Sequence, residues 1–171
     1  MLIIEVLVIS LGTAICKKTS LGIDPFNALC VGISQIININ LGTTVLILNS
    51  LLIIIILLVD RSYIGFGTVF TMVSIGYFID FFDFVIPNPN FNTFSIQNII
   101  LFVIGMLIMC FGVSLYFESS LGMVPYDCFA FIISSKLSGK TFIYRVCIDS
   151  SASLIAFFIG GPISVGTLIL A

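Results

Sequence analysis

Histidine and tryptophan are absent from this sequence, and only 8% of its 171 residues are charged. A soluble domain carries about 25% charged residues. Without histidine there is no Ser-His dyad, no H-E-x-x-H zinc site and no His-ligated haem. With 60% apolar residues and so little charge, the chain cannot hide its apolar surface in water. That excludes a soluble enzyme, a nucleic-acid partner and a disordered chain together. The formal net charge of −2 favours neither an acidic nor a basic partner. Cysteines at 16, 30, 110, 128 and 147 form no C-x-x-C pair and read as small packing residues. No metal and no cofactor is expected. What remains is an all-α integral membrane protein whose partner is the lipid bilayer.

Long apolar runs supply the spans. About 20 apolar residues of helix cross a hydrocarbon core. Residues 41–59 meet this without a charge, and Asp60 and Arg61 end the run. Another helix is expected over 62–84, stopped by Pro87 and Pro89, and another from Ser95 to about Phe117. Residues 141–160 form a further span despite Arg145 and Asp149, and the first 16 residues a shorter one containing Glu5. No ten-residue alternating pattern recurs, so a strand-built barrel is not supported.

An offset of 100 residues reveals internal similarity. Thr19-Ser20-Leu21-Gly22-Ile23-Asp24-Pro25-Phe26-Asn27 falls on Ser119-Ser120-Leu121-Gly122-Met123-Val124-Pro125-Tyr126-Asp127. Gly12 falls on Gly112, Ile33-Ser34 on Ile133-Ser134, and Asn49-Ser50 on Asp149-Ser150. A one-residue gap then brings Gly67-Thr68 onto Gly166-Thr167. Chance similarity between apolar stretches would match Ile and Leu, whereas here Ser, Gly and Pro match. The chain is therefore expected to hold two tandem repeats. Residues 1–86 form the first, 87–95 a connecting loop and 96–171 the second, cut within its last helix. By comparison with the first repeat, roughly 15–35 further residues are expected beyond 171. The first helix is short beside 96–117, which leaves open a clipped N-terminus.

Each repeat contains one short helix, at 25–37 and 125–137, started by proline. Proline at the first helical position gives up no useful N–H, and the glycine three residues earlier permits an abrupt bend. Gly22 and Gly122 are accordingly expected to be more sensitive to substitution than Gly105. Helices of this length reach about 20 Å and are short for a crossing.

The sequences S-L-G-I-D-P-F-N at 20–27 and S-L-G-M-V-P-Y-D at 120–127 resemble the L-G-x-x-P-W-D turn of the YczE/YyaS/YitT-type uncharacterised bacterial integral membrane proteins. Gly65-Phe66-Gly67-Thr68 and Gly76-Tyr77-Phe78-Ile79-Asp80 are similar to further positions of that family. Phe26 and Tyr126 stand where the family has tryptophan, and Asn27 replaces its acid. The resemblance implies a multi-pass protein of the bacterial cytoplasmic (inner) membrane and supplies no substrate or reaction.

Two groups of residues are candidates for function. The first lies at the proline turns: Gly22, Pro25, Phe26 and Asn27, with Gly122, Pro125, Tyr126 and Asp127. Short interrupted helices at matching positions of two repeats point to a transporter's solute site, and their N-termini favour an anionic or zwitterionic solute. The second group is polar residues at membrane depth: Asn49, Asp80, Asp83, Arg145 and Asp149. Arg145 and Asp149 share a helix face and can neutralise each other. Asp80 and Asp83 share another, either at the water interface or facing inward, where repulsion would favour proton binding. Glu5, near the terminus, reads as interfacial. No catalytic constellation is present, so an enzyme is not expected. The alternative to a transporter is a non-transporting scaffold or regulator of a partner complex. Oligomeric state stays open. So does topology: three crossings per half, with the halves inverted, or four with the halves parallel. The short helices favour the former.

Overall fold

The computed structural model describes residues 2–59, 64–87, 95–119, 124–137 and 139–170. They form eight helices in the order α1 (Leu2–Thr19), α2 (Pro25–Ile37), α3 (Leu41–Val59), α4 (Phe66–Val85), α5 (Ile96–Ser119), α6 (Pro125–Leu137), α7 (Thr141–Phe158) and α8 (Val165–Leu170), with no strand among the described residues. Helices α3, α4, α5 and α7 are long and apolar enough to cross a membrane. Helix α1 matches them in length but carries Glu5, Lys17 and Lys18. The outward faces are clad in large apolar side chains; Leu58, Phe84 and Phe142 are 83%, 90% and 75% exposed, as suits lipid rather than water.

Polar contacts at one end of the bundle fix the path of the chain. Lys17 and Lys18, in the last turn of α1, pair with Asp83 near the end of α4 at 2.8 and 3.1 Å. One turn earlier, Asp80 accepts a hydrogen bond of 2.7 Å from the Gly42 N–H at the start of α3. At the start of α5, Asn98 donates to the Thr19 carbonyl at 2.7 Å. The ends of α1 and α4 therefore lie beside the beginnings of α3 and α5. So α1 and α4 run parallel, and both are antiparallel to α3 and α5. Helix α2 connects the end of α1 to the start of α3, both on the same side, so the segment enters the bundle and returns without crossing it. Three long helices, α1, α3 and α4, precede α5.

Helices α1 and α5 make the tightest crossing. A Cβ on Gly12 would lie 2.5 Å from the Met109 nitrogen, and one on Gly112 would lie 2.9 Å from the Ile9 nitrogen. Helices α3 and α4 approach in the same way, since a Cβ on Gly76 would lie 2.8 Å from the Gly42 Cα. Small residues let backbones meet where lipid offers no hydrophobic drive toward association. The Ser10 hydroxyl adds a 3.3 Å hydrogen bond to the Ile75 carbonyl, tying α1 to α4.

Two sequence expectations need correction here. Glu5 is buried, at 1% exposure, rather than interfacial, and neither carboxylate oxygen has a hydrogen-bond partner. Its spacing from Ile9 and Gly12 puts it on the face that α5 covers. Asp80 and Asp83 are not a mutually repelling pair, because each is held by a different neighbour. Gly105 is closely packed as well, since a Cβ there would meet Ile15 Cγ2 at 2.8 Å.

Gly22 and Gly160 offer a cleaner comparison. Both have positive φ, +116° and +78°. A Cβ on Gly22 would lie 2.6 Å from the Thr167 nitrogen, whereas one on Gly160 would meet nothing within 4 Å. Gly160→Ala should cost about 1 kcal/mol, the backbone strain alone. Gly22→Ala should cost about 3 kcal/mol or more, because strain and overpacking add. Thermal unfolding of the two variants in detergent, read against the parent protein, checks the difference.

Candidate functional site: a polar cavity between the proline turns

The two short helices begin differently. At α2, Asp24 is the N-cap: its Oδ1 accepts from the Asn27 N–H at 3.0 Å, and its Oδ2 accepts from Asn27 Nδ2 at 2.8 Å. Pro25 follows as the first helical residue. At α6, Val124 has no side-chain oxygen to offer, and its own N–H donates to the Tyr116 hydroxyl of α5. Asp127 then stands in the first turn of α6. Both positive helix ends are thus complemented by carboxylates of the chain itself.

These starts meet. The rings of Phe26 and Tyr126 stack with centroids 4.7 Å apart and a tilt of 32°. Around them lies a cavity of about 510 Å³. Its polar lining includes Asp24 and Asn27 from the first turn, Asn49 from α3, Tyr126 and Asp127 from α6, and Arg145 and Asp149 from α7. Met106, Met109 and Phe117 of α5 supply an apolar wall.

Arg145 organises the second half of this lining. Its Nε donates to Asp149 at 3.0 Å and its Nη1 donates to Asp127. The guanidinium also stands 5.4 Å from the Tyr126 ring centre, within cation–π range. Tyr126 donates its hydroxyl proton to the other oxygen of Asp149 at 2.6 Å. Asp149 is only 2% exposed, and both its oxygens are satisfied. Asn49 and Asn27 are buried as well, at 2% and 9% exposure, yet the Oδ1 of each lacks a hydrogen-bond partner.

Of the sequence-derived candidates, Pro25, Phe26, Asn27, Asn49, Tyr126, Asp127, Arg145 and Asp149 share this cavity. Gly22 is not part of the lining and packs against Thr167, and Pro125 is buried at the start of α6. Asp80 and Asp83 hold the far end of the bundle together. Gly122 lies outside the described residues. Sequence reasoning passed over Asp24, although its place before Pro25 is an N-cap signal. Tyr116 and the α5 methionines carry no local signal and reach the cavity only through packing. Among the described residues no cluster of three metal-ligating side chains occurs.

The geometry sets a mutational expectation. The first half carries Asn27, Val45 and Asn49 where the second has Asp127, Arg145 and Asp149. Arg145→Val with Asp149→Asn would copy two of these but leave the Asp127 carboxylate without its cation. A buried charge stripped of its partner costs about 3–5 kcal/mol. The triple variant that adds Asp127→Asn removes every charge of the network and should regain most of that loss. Thermal unfolding of the double and triple variants at neutral pH checks this ordering.

No solved structure matches this chain. It is 31% identical over 152 residues to the uncharacterized membrane protein YczE of Bacillus subtilis (strain 168), covering 89% of this chain and 69% of that protein. To the uncharacterized protein YyaS of the same organism it is 31% identical over 168 residues, covering 97% and 83%. An uncharacterized protein of Haemophilus influenzae is 24% identical over 164 residues, covering 96% and 73%. A family of unknown function, DUF6198, matches residues 1–171, and the chain belongs to that family.

Proposed function

We propose that this membrane protein is a secondary transporter of the bacterial cytoplasmic membrane, built from two inverted copies of one helical motif and binding a small solute between its proline turns. The observation that carries the reading is the single cavity of about 510 Å³ reached by the starts of both short helices. Discontinuous helices meeting at mid-bundle are the usual solute site of inverted-repeat transporters.

Contacts that recur at the 100-residue offset support the duplication. Gly12 meets Met109, and Gly112 meets Ile9. Phe26 stacks on Tyr126. Gly32 packs on Ile159, while Ile132 and Val59 line one apolar groove. Such reciprocal pairs are what a two-fold relation produces. The antiparallel course of α1 and α5 makes that relation an inversion.

A scaffold would need small or polar stripes toward lipid to recognise a partner. Large apolar side chains such as Leu58, Phe84 and Phe142 are prominent on the outward faces, while the tightly packed glycines face other helices. An enzyme would need a poised base. Asp24, Asp127 and Asp149 are each engaged by a neighbour's hydrogen bond.

Reconstitution tests the proposal. Proteoliposomes are loaded with a pH-sensitive dye, given a proton gradient in either direction, and exposed to a panel of amines, amino acids and carboxylates. Saturable uptake of at least one solute, raised by the gradient and absent from protein-free liposomes, is the expected outcome. Retention equal to that of empty liposomes across the whole panel refutes a transport role.

A further inference from the structure

We propose that the cavity selects a small organic ammonium ion. This rests on reading the cavity as a solute site, and it replaces the anionic solute that the helix ends alone would favour. Some of the donors in the lining are engaged within it. Arg145 uses Nε and Nη1 on Asp149 and Asp127. Tyr126 uses its hydroxyl proton on Asp149, and Asn27 uses both its backbone N–H and its side-chain amide on Asp24. Two amide oxygens are not engaged at all. Asn27 and Asn49 are among the residues lining the cavity, both are more than nine-tenths buried, and the Oδ1 of each has no partner. An amide oxygen only accepts, so the group that completes these two must donate.

Charge points the same way. Three carboxylates, Asp24, Asp127 and Asp149, line the cavity against the one guanidinium of Arg145. The positive helix ends, which would attract a free anion, already have Asp24 and Asp127 beside them. A cation relieves the excess. Phe26, Tyr126, Met106 and Met109 make the rest of the wall apolar and aromatic. A hydrated metal ion gains nothing from such a wall, whereas an ammonium with a hydrocarbon body does. The ammonium protons meet Asn27 Oδ1 and Asn49 Oδ1, and the hydrocarbon lies against the methionines and Phe26.

Three probes of nearly equal shape separate charge from size: 2-phenylethylamine, 2-phenylethanol and 3-phenylpropanoate. Equilibrium binding to the full-length protein in detergent, measured by calorimetry, should favour the amine over both others by about tenfold or more. Asn49→Leu should weaken the amine by about tenfold while leaving the carboxylate, which has no proton to donate, unchanged. Asn49→Asp, which copies Asp149, should tighten it. The melting temperature of each variant confirms that it is folded. Equal binding of the three probes, preference for the carboxylate, or no saturable amine binding overturns the assignment. Displacement of the amine by sodium or potassium, one for one, overturns it in favour of an inorganic cation. Amine binding without uptake in proteoliposomes upholds the site and removes the transport reading. Uptake of other solutes without amine binding does the reverse.

Discussion

A bilayer gives apolar helices no hydrophobic reason to leave lipid for one another, so the contact between α1 and α5 has to come from closeness of the backbones. Gly12, Gly105 and Gly112 provide it, each at a point where a single added carbon would collide with the opposite helix. The rest is attached to this antiparallel pair. Helix α4 is joined to α1 by the Lys17–Asp83 and Lys18–Asp83 pairs and by Ser10, and α3 is seated on α4 through Gly42, Gly76 and Asp80. Were α1 and α5 a side chain further apart, Phe26 and Tyr126 would not stack, and the two proline turns would open on separate spaces.

The first and second halves of the sequence carry opposite polar solutions. The second buries charge and satisfies it internally, with Arg145 between Asp127 and Asp149 and Tyr126 closing the remaining acceptor. Such a buried network contributes little net stability over an apolar core, but it fixes geometry. The first half carries Phe26, Asn27, Val45 and Asn49 at the corresponding positions, and it ends with two amide oxygens unfilled. The ion-paired network of the second half therefore fixes its own side of the cavity, and the amides of the first half hold unmet hydrogen-bonding capacity.

The helices were readable because apolar runs and proline starts are local signals: α2 and α6 begin at Pro25 and Pro125 and end at Ile37 and Leu137. The link between Arg145 and Asp149 was readable from their four-residue spacing. Asp127 as the second partner was not, because 18 residues and a change of helix separate it from Arg145. The same limit hid the pairing of Asp83 with Lys17, 66 residues away, and the hydrogen bond from the Gly42 N–H to Asp80, 38 residues away. Glu5 was misread for a related reason. A lone acid near a terminus looks wet until the helix that covers it is known.

The bend after α1 is fastened from outside its own half: the Leu21 carbonyl accepts a 2.8 Å hydrogen bond from the Gly166 N–H, just inside the start of α8. Gly22 lies so close to Thr167 that the bend has no slack there. Only Ile23 separates this fastening from Asp24, whose carboxylate holds Asn27 at the cavity wall. Any shift of α8 relative to α1 is therefore transmitted over two or three residues to the polar lining, as a lever with a short arm transmits a small displacement with high stiffness.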